Sequence, residues 1–142
     1  YPEKWAVQIG GGSNHRMGLF DAIMIKDNHI DYCGGVSQAL QKTTIYLDRL
    51  GTPLDVIVEC RNQEEIKAAL PFPCVNRILL DNFSPEELKK AVALIDGKKD
   101  TEASGNITEK NLEQYAVTGV NYLSLGALTY DAKSMDLSLK AL

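Results

Sequence analysis

Four short apolar runs, each followed by a helix-like segment, constrain this chain more than any other feature. They are Ala22 to Ile25, Leu54 to Cys60, Arg77 to Leu80 and Tyr122 to Leu125. Each is nearly continuous rather than alternating. That is the pattern of a strand buried on both faces, as in parallel sheets covered by helices. A fifth run, Lys99 to Ala103, is too polar to be recognised by pattern and is placed only by its position in the series. Helix signals fill the gaps. Asn62 stands three residues before Glu65, and Ser84-Pro85-Glu86-Glu87 supplies a cap, a first-turn proline and the acid of a capping box. Thr108 is read as the cap of a helix from Glu109 to Thr118 that Gly119 ends. Another helix runs from Val36 to Leu50 and stops at Gly51-Thr52-Pro53, and Glu3 to Val7 is helix-like. Strand and helix in alternation predict an α/β fold with a parallel sheet.

Charged residues close the strands at Lys26, Glu59, Asp81 and Glu102, and Gly126 follows the last strand. These positions stand roughly 20 to 35 residues apart, the length of one βα unit, so the chain repeats an architecture without repeating its sequence. The expected fold is a partial (β/α) barrel of about five units out of roughly eight. Its 142 residues suit one domain, and a 44% hydrophobic content is enough for a core. The net charge of −4, with no basic cluster, argues against a nucleic-acid partner, and no apolar run is long enough to cross a membrane. Cys33, Cys60 and Cys74 form neither a zinc pattern nor a disulfide framework, which favours a reducing cytoplasm. The chain opens on Tyr1-Pro2 without an initiator Met and is expected to begin inside a longer protein.

A barrel keeps its chemistry at the carboxyl ends of its strands. A single acid there is usually a loop residue, but charges in successive units converge on one rim. Ser104-Gly105-Asn106 and Gly126-Ala127 are small-residue turns after the last two strands, suited to bringing backbone N–H groups to a phosphate. Gly10-Gly11-Gly12 lacks the Gly-Lys-Ser/Thr ending of a nucleotide-binding P-loop. It reads instead as a flexible turn delivering His15 and Arg16, or as a surface loop with incidental charge. Arg16 and Lys26 suit an anionic substrate, and Glu59, Asp81 and Glu102 suit a divalent metal, ribose hydroxyls or a developing cation. These residue types point to a phosphorylated sugar and leave the reaction open.

The stretches GGGSNHRMGLFDAIMIKDNHI, VIVECRN, ILLDNFSPEEL, EASGNIT and TGVNYLSLGALT, in this order over nearly the whole chain, resemble the quinolinate phosphoribosyltransferase family. The resemblance implies conversion of quinolinate and phosphoribosyl pyrophosphate to nicotinate mononucleotide, pyrophosphate and carbon dioxide, with Mg²⁺, in NAD biosynthesis. It implies that His15, Arg16 and Lys26 bind quinolinate carboxylates. Glu59 and Asp81 would lie near the ribose and the magnesium-pyrophosphate, with Lys26, Glu59 and Asp81 as the catalytic set. Glu102, Ser104, Gly105, Gly126 and Ala127 would hold ribose and phosphate. Asn106 and Tyr130 stand where the family commonly has Gly and His. The family also implies a dimer or larger assembly, an N-terminal sandwich domain and a first barrel segment bearing Thr-Arg-Lys-Thr, neither of which this sequence contains. Residues 1–142 would then be the C-terminal part of the barrel domain, inactive alone and with an exposed sheet edge prone to association. The alternatives are a related barrel acting on another heterocycle, a fragment without catalysis, and a phosphate-binding isomerase or aldolase using Lys26 as a Schiff-base lysine.

Overall fold

The computed structural model describes residues 1–141. Five parallel strands make one sheet in the order β1-β2-β3-β4-β5, alternating with helices: a partial (β/α) barrel. The strands are β1 (Ala22–Ile25), β2 (Asp55–Cys60), β3 (Arg77–Asp81), β4 (Asp100–Ser104) and β5 (Tyr122–Leu123). The helices are α1 (Pro2–Ile9), α2 (Asp27–Cys33), α3 (Val36–Leu50), α4 (Gln63–Ala69), α5 (Pro85–Ile95), α6 (Leu112–Ala116) and α7 (Ala127–Tyr130). Strand order follows chain order, as it does around a barrel. β1 and β5 each pair on one side only, so both sheet edges are open among the described residues.

The outer face of the sheet carries the main core. Ile25, Val56, Val58, Cys60, Ile78, Leu80 and Ala103 pack there against Leu40, Ile66, Leu88 and Ile95 of the helices. The side-chain period of two sends the other residues to the inner face, where Ala22, Ile57 and Leu79 form a smaller apolar layer with Met24. The outer face is apolar along β1–β3 and the inner face adds an apolar residue midway along β2 and β3, which gives the near-continuous runs in the sequence.

The helix caps sit as their chemistry requires. Asn62 Oδ1 accepts from Glu65 N at 2.9 Å. Ser84 Oγ accepts from Glu87 N at 3.3 Å while the Glu87 carboxylate accepts from Ser84 N at 2.8 Å. Those bonds hold the Glu87 carboxyl below its ordinary value, since they favour the charged form. Ser84→Ala removes one side of this reciprocal pair. It is expected to lower stability by about 1 kcal/mol, read as a shifted urea midpoint with an unchanged slope.

Three local expectations are corrected. The helix expected from Glu109 begins at Leu112. Thr108 does not cap it: Asn111 stands at the cap position without a side-chain cap bond, its Oδ1 accepting from Thr108 N at 2.7 Å and its Nδ2 donating to Asn106 O at 3.0 Å. β5 ends at Leu123 rather than Leu125. Asp27 and Asn28 open the first turn of α2: Asn28 N donates to Asp27 Oδ1 at 2.7 Å, and an acid there complements the helix dipole.

Candidate active site

Register sets which side chains can meet. Ile25 pairs with Val58, so Lys26 emerges beside Glu59, while Asp81 pairs with Ser104 one step further up. All four belong to the inner-face series. Lys26 Nζ lies 3.9 Å from Glu59 Oε2. Lys26 caps α2 in extended conformation, and its backbone N–H donates to His29 Nδ1 at 2.9 Å. His29 therefore fixes the turn from which Lys26 projects. Burial pushes the Glu59 carboxyl above its ordinary value, the facing Asp81 charge adds to this, and Lys26 offsets it in part. The pair Glu59–Asp81 is thus a concentration of negative charge that a cation would relieve.

Asp81 is anchored from the neighbouring strand. Its Oδ1 accepts from Ser104 Oγ at 2.7 Å and its Oδ2 from Asn82 Nδ2. Asn82 N donates to Ser104 O at 2.9 Å, and Asn106 Nδ2 donates to Asn82 Oδ1 at 3.0 Å. This cluster ties the turns after β3 and β4 together. Asn82 and Asn106 both adopt left-handed backbone, φ 58° and 54°, which Asn tolerates better than most residues. Between them Gly105 has φ 90°, and a Cβ there would stand 2.7 Å from Asn82 Cγ and 2.9 Å from Asn82 N. A cleft of about 320 Å³ opens at this rim, with Arg61, Asn62, Asp81 and Asn82 among its walls. A second cleft of about 430 Å³, toward the amino ends of the strands, has His15, Asp55, Arg77, Lys98 and Asp100 among its walls. Lys26, Glu59 and Asp81 are not among its walls.

Glu102 departs from its expected position. β4 continues two residues beyond it, and its side chain is fully buried on the inner face rather than standing at the rim. Polarity hid β4, so charge was mistaken for a strand end. Glu102 Oε2 lies 3.0 Å from Arg77 Nη1, His15 Nε2 is 3.2 Å from Oε1, and Ser124 Oγ donates to Oε1. Burial pushes the Glu102 carboxyl up, but His15, Ser124 and Arg77 together outweigh it and hold it below its ordinary value. Arg77 also lies over the Tyr122 ring, 3.9 Å from its centroid.

His15 therefore reaches the inner face, carried by a loop that is tied at several points. Lys4 Nζ donates to Arg16 O at 2.6 Å, Asn14 Nδ2 to Lys4 O at 2.9 Å, and the Met17 and Gly18 amides to Asp21. The side chain of Arg16 forms no ion pair among the described residues. Gly126 and Ala127 start α7, with Gly126 in ordinary right-handed backbone. Sequence reasoning missed Arg77 and Ser124. The parity of β3 was the available signal for Arg77, because it places Arg77, Leu79 and Asp81 on one face.

Among the described residues no three His, Cys, Asp or Glu side chains are grouped to hold a metal ion by themselves. The chemistry present is one cation, Lys26, beside a carboxylate pair, Glu59 and Asp81, with His15 further along the inner face against Glu102.

Comparison with known proteins shows the family that the chain resembles. The family model "Quinolinate phosphoribosyl transferase, C-terminal domain" matches residues 1–140. A Nicotiana tabacum quinolinate phosphoribosyltransferase [decarboxylating] 2b, mitochondrial, is 47% identical over 97% of this chain and 43% of its own length. A probable nicotinate-nucleotide pyrophosphorylase [carboxylating] of Bacillus subtilis is 42% identical over 96% of this chain and 46% of its own length. The crystal structure of NadC from Streptococcus pyogenes superposes with a TM-score of 0.89 at 40% identity, covering 98% of this chain and 47% of that one. The chain thus spans less than half the length of these relatives.

Proposed function

The chain belongs to the quinolinate phosphoribosyltransferase family, and from that membership we propose that it supplies the C-terminal part of the barrel domain of an enzyme joining quinolinate to phosphoribosyl pyrophosphate. The products are nicotinate mononucleotide, pyrophosphate and carbon dioxide. The observation that carries this reading is the inner-face row Lys26–Glu59–Asp81–Ser104, which sets a cation beside two carboxylates at the reactive end of the strands. Lys26 pairs with a carboxylate of the substrate, with Arg16 and His15 contributing to the same pocket. Departure of pyrophosphate builds positive charge on the anomeric carbon of the ribose, and Glu59 and Asp81 face that charge. Ser104 and Gly105, with Gly126 and Ala127, hold the ribose 5-phosphate through the two turns after β4 and β5.

A divalent cation fits the donor set. Glu59 and Asp81 raise the local negative potential, and Mg²⁺ takes one or two carboxylates together with substrate phosphates. When bound there it supplies neutralisation of the leaving pyrophosphate. The enzyme completes itself with an N-terminal domain and works as a dimer or a larger assembly. The cytoplasmic reading draws support from Cys33, Cys60 and Cys74, all free thiols. No helix among the described residues is long and apolar enough to cross a membrane.

The test is pyrophosphate release by the complete enzyme. Release should depend on quinolinate and be absent with nicotinate, which has one carboxylate fewer. Lys26→Ala should raise the KM for quinolinate by on the order of tenfold to a hundredfold, the loss of one charge-assisted contact. Equal release with nicotinate would assign the scaffold to another heterocycle.

A further inference from the structure

Among the described residues Glu102 is the one fully buried carboxylate, and its partners come from three separate parts of the chain. It sits on β4, Arg77 on β3, Ser124 beyond β5, and His15 on the loop before β1. Arg77 and Ser124 come from neighbouring segments of the sheet and serve the sheet. His15 does not. It is brought in by an irregular loop, its side chain remains partly open at 26% exposure, and its buried Nε2 has no partner with full hydrogen-bond geometry although Glu102 Oε1 is 3.2 Å away. A carboxylate beside one ring nitrogen decides the orientation of an imidazole and leaves the other nitrogen for a ligand. With both nitrogens protonated, Nε2–H faces Glu102 and Nδ1–H is left to donate to an anion. Because Glu102 also bonds Arg77 and Ser124, it cannot follow His15 if the loop shifts. It is a fixed reference in the sheet.

We propose that Glu102 is a positioning residue: anchored by Arg77 and Ser124, it holds the His15 ring so that Nδ1 presents to a substrate carboxylate. This rests on the dicarboxylate reading of the pocket given above. It gives Glu102 no contact with ribose or phosphate. Its effect passes through His15 to one substrate and leaves the other untouched.

The experiment is steady-state kinetics of the complete enzyme carrying Glu102→Gln, which keeps the shape and the acceptor oxygen but not the charge. The KM for quinolinate should rise at least tenfold, while the KM for phosphoribosyl pyrophosphate stays within about twofold. In a His15→Gln background the same substitution should add nothing, because the residue through which it acts is already gone. A rise in both KM values together, or an equal rise in the His15→Gln background, overturns the proposal and leaves the dicarboxylate reading standing. A parent enzyme without quinolinate-dependent turnover overturns both. If E102Q does not fold, Ser124→Ala gives the second arm. It frees Oε1 from its hydroxyl donor, and a selective rise of about fivefold in quinolinate KM is expected. No rise overturns the proposal.

Discussion

Replacing Glu102 by alanine is expected to destabilise the chain by about 3 kcal/mol, the lower end of the roughly 3–5 kcal/mol lost when one partner of a buried ion pair is removed. The substitution takes away the acceptor for Arg77 and Ser124 and leaves Arg77 and His15 facing each other without the intervening carboxylate. Arg77 and His15 keep some contact with water, which places the loss at the lower end. The acid limb of stability should change as well. The Glu102 carboxyl lies below its ordinary 4.5 in the folded chain, so its contribution is full above that value and is lost as pH falls through the folded value. Urea midpoints measured from neutral pH down to about pH 3 should show a steep decline in the parent and a shallower one in Glu102→Ala. Glu59, whose carboxyl is raised, works in the opposite sense: its contribution is present at low pH and fades as pH rises through the folded value, and it persists in both proteins.

Gly105→Ala is the second large effect, and it falls on the site rather than on the core. At φ 90° an L side chain is strained, at a cost on the order of 1–3 kcal/mol. Its Cβ would also press on Asn82, whose backbone nitrogen is held to Ser104 O and whose side chain bonds Asp81 and Asn106. Asn82 must move, and Asp81 moves with it. Displacing a reacting group by about 1 Å costs on the order of a hundredfold in rate. The complete enzyme with Gly105→Ala should therefore lose about that factor in kcat/KM for pyrophosphate release while remaining folded by circular dichroism. Full activity would show that the Asp81–Asn82–Ser104 cluster does not set the geometry of the site.

How much could be read in advance divides along the two faces of the sheet. β1 was legible to the residue because Ala22–Ile25 meets apolar neighbours on both sides. The starts of α4 and α5 were legible because a cap is a local interaction, complete within four residues. β4 was not, because its inner face carries Asp100, Glu102 and Ser104 and Ala103 is its one apolar residue. The same strand misled the placement of Glu102, since charge marks a strand end only when the interior is apolar, and here the interior holds an ion network. Lys26, Glu59 and Asp81 were found because they end recognisable runs. Arg77 and Ser124 were not, because their importance lies in a partner more than twenty residues away in sequence, which only register supplies. The Asn82–Asn106 link across two turns was hidden for the same reason.

Carbon dioxide release from quinolinate in the presence of phosphoribosyl pyrophosphate and Mg²⁺ tests the central claim most directly, with the 142-residue chain measured alone and again when joined to the N-terminal portion of a matched relative. Lys26, Glu59 and Asp81 form a cation-and-carboxylate row, and under the proposed function the rest of the enzyme adds further cations to the pocket. No release above background is expected from the chain alone, and quinolinate-dependent release from the completed protein. Release by the chain alone at the rate of the completed protein would contradict that claim.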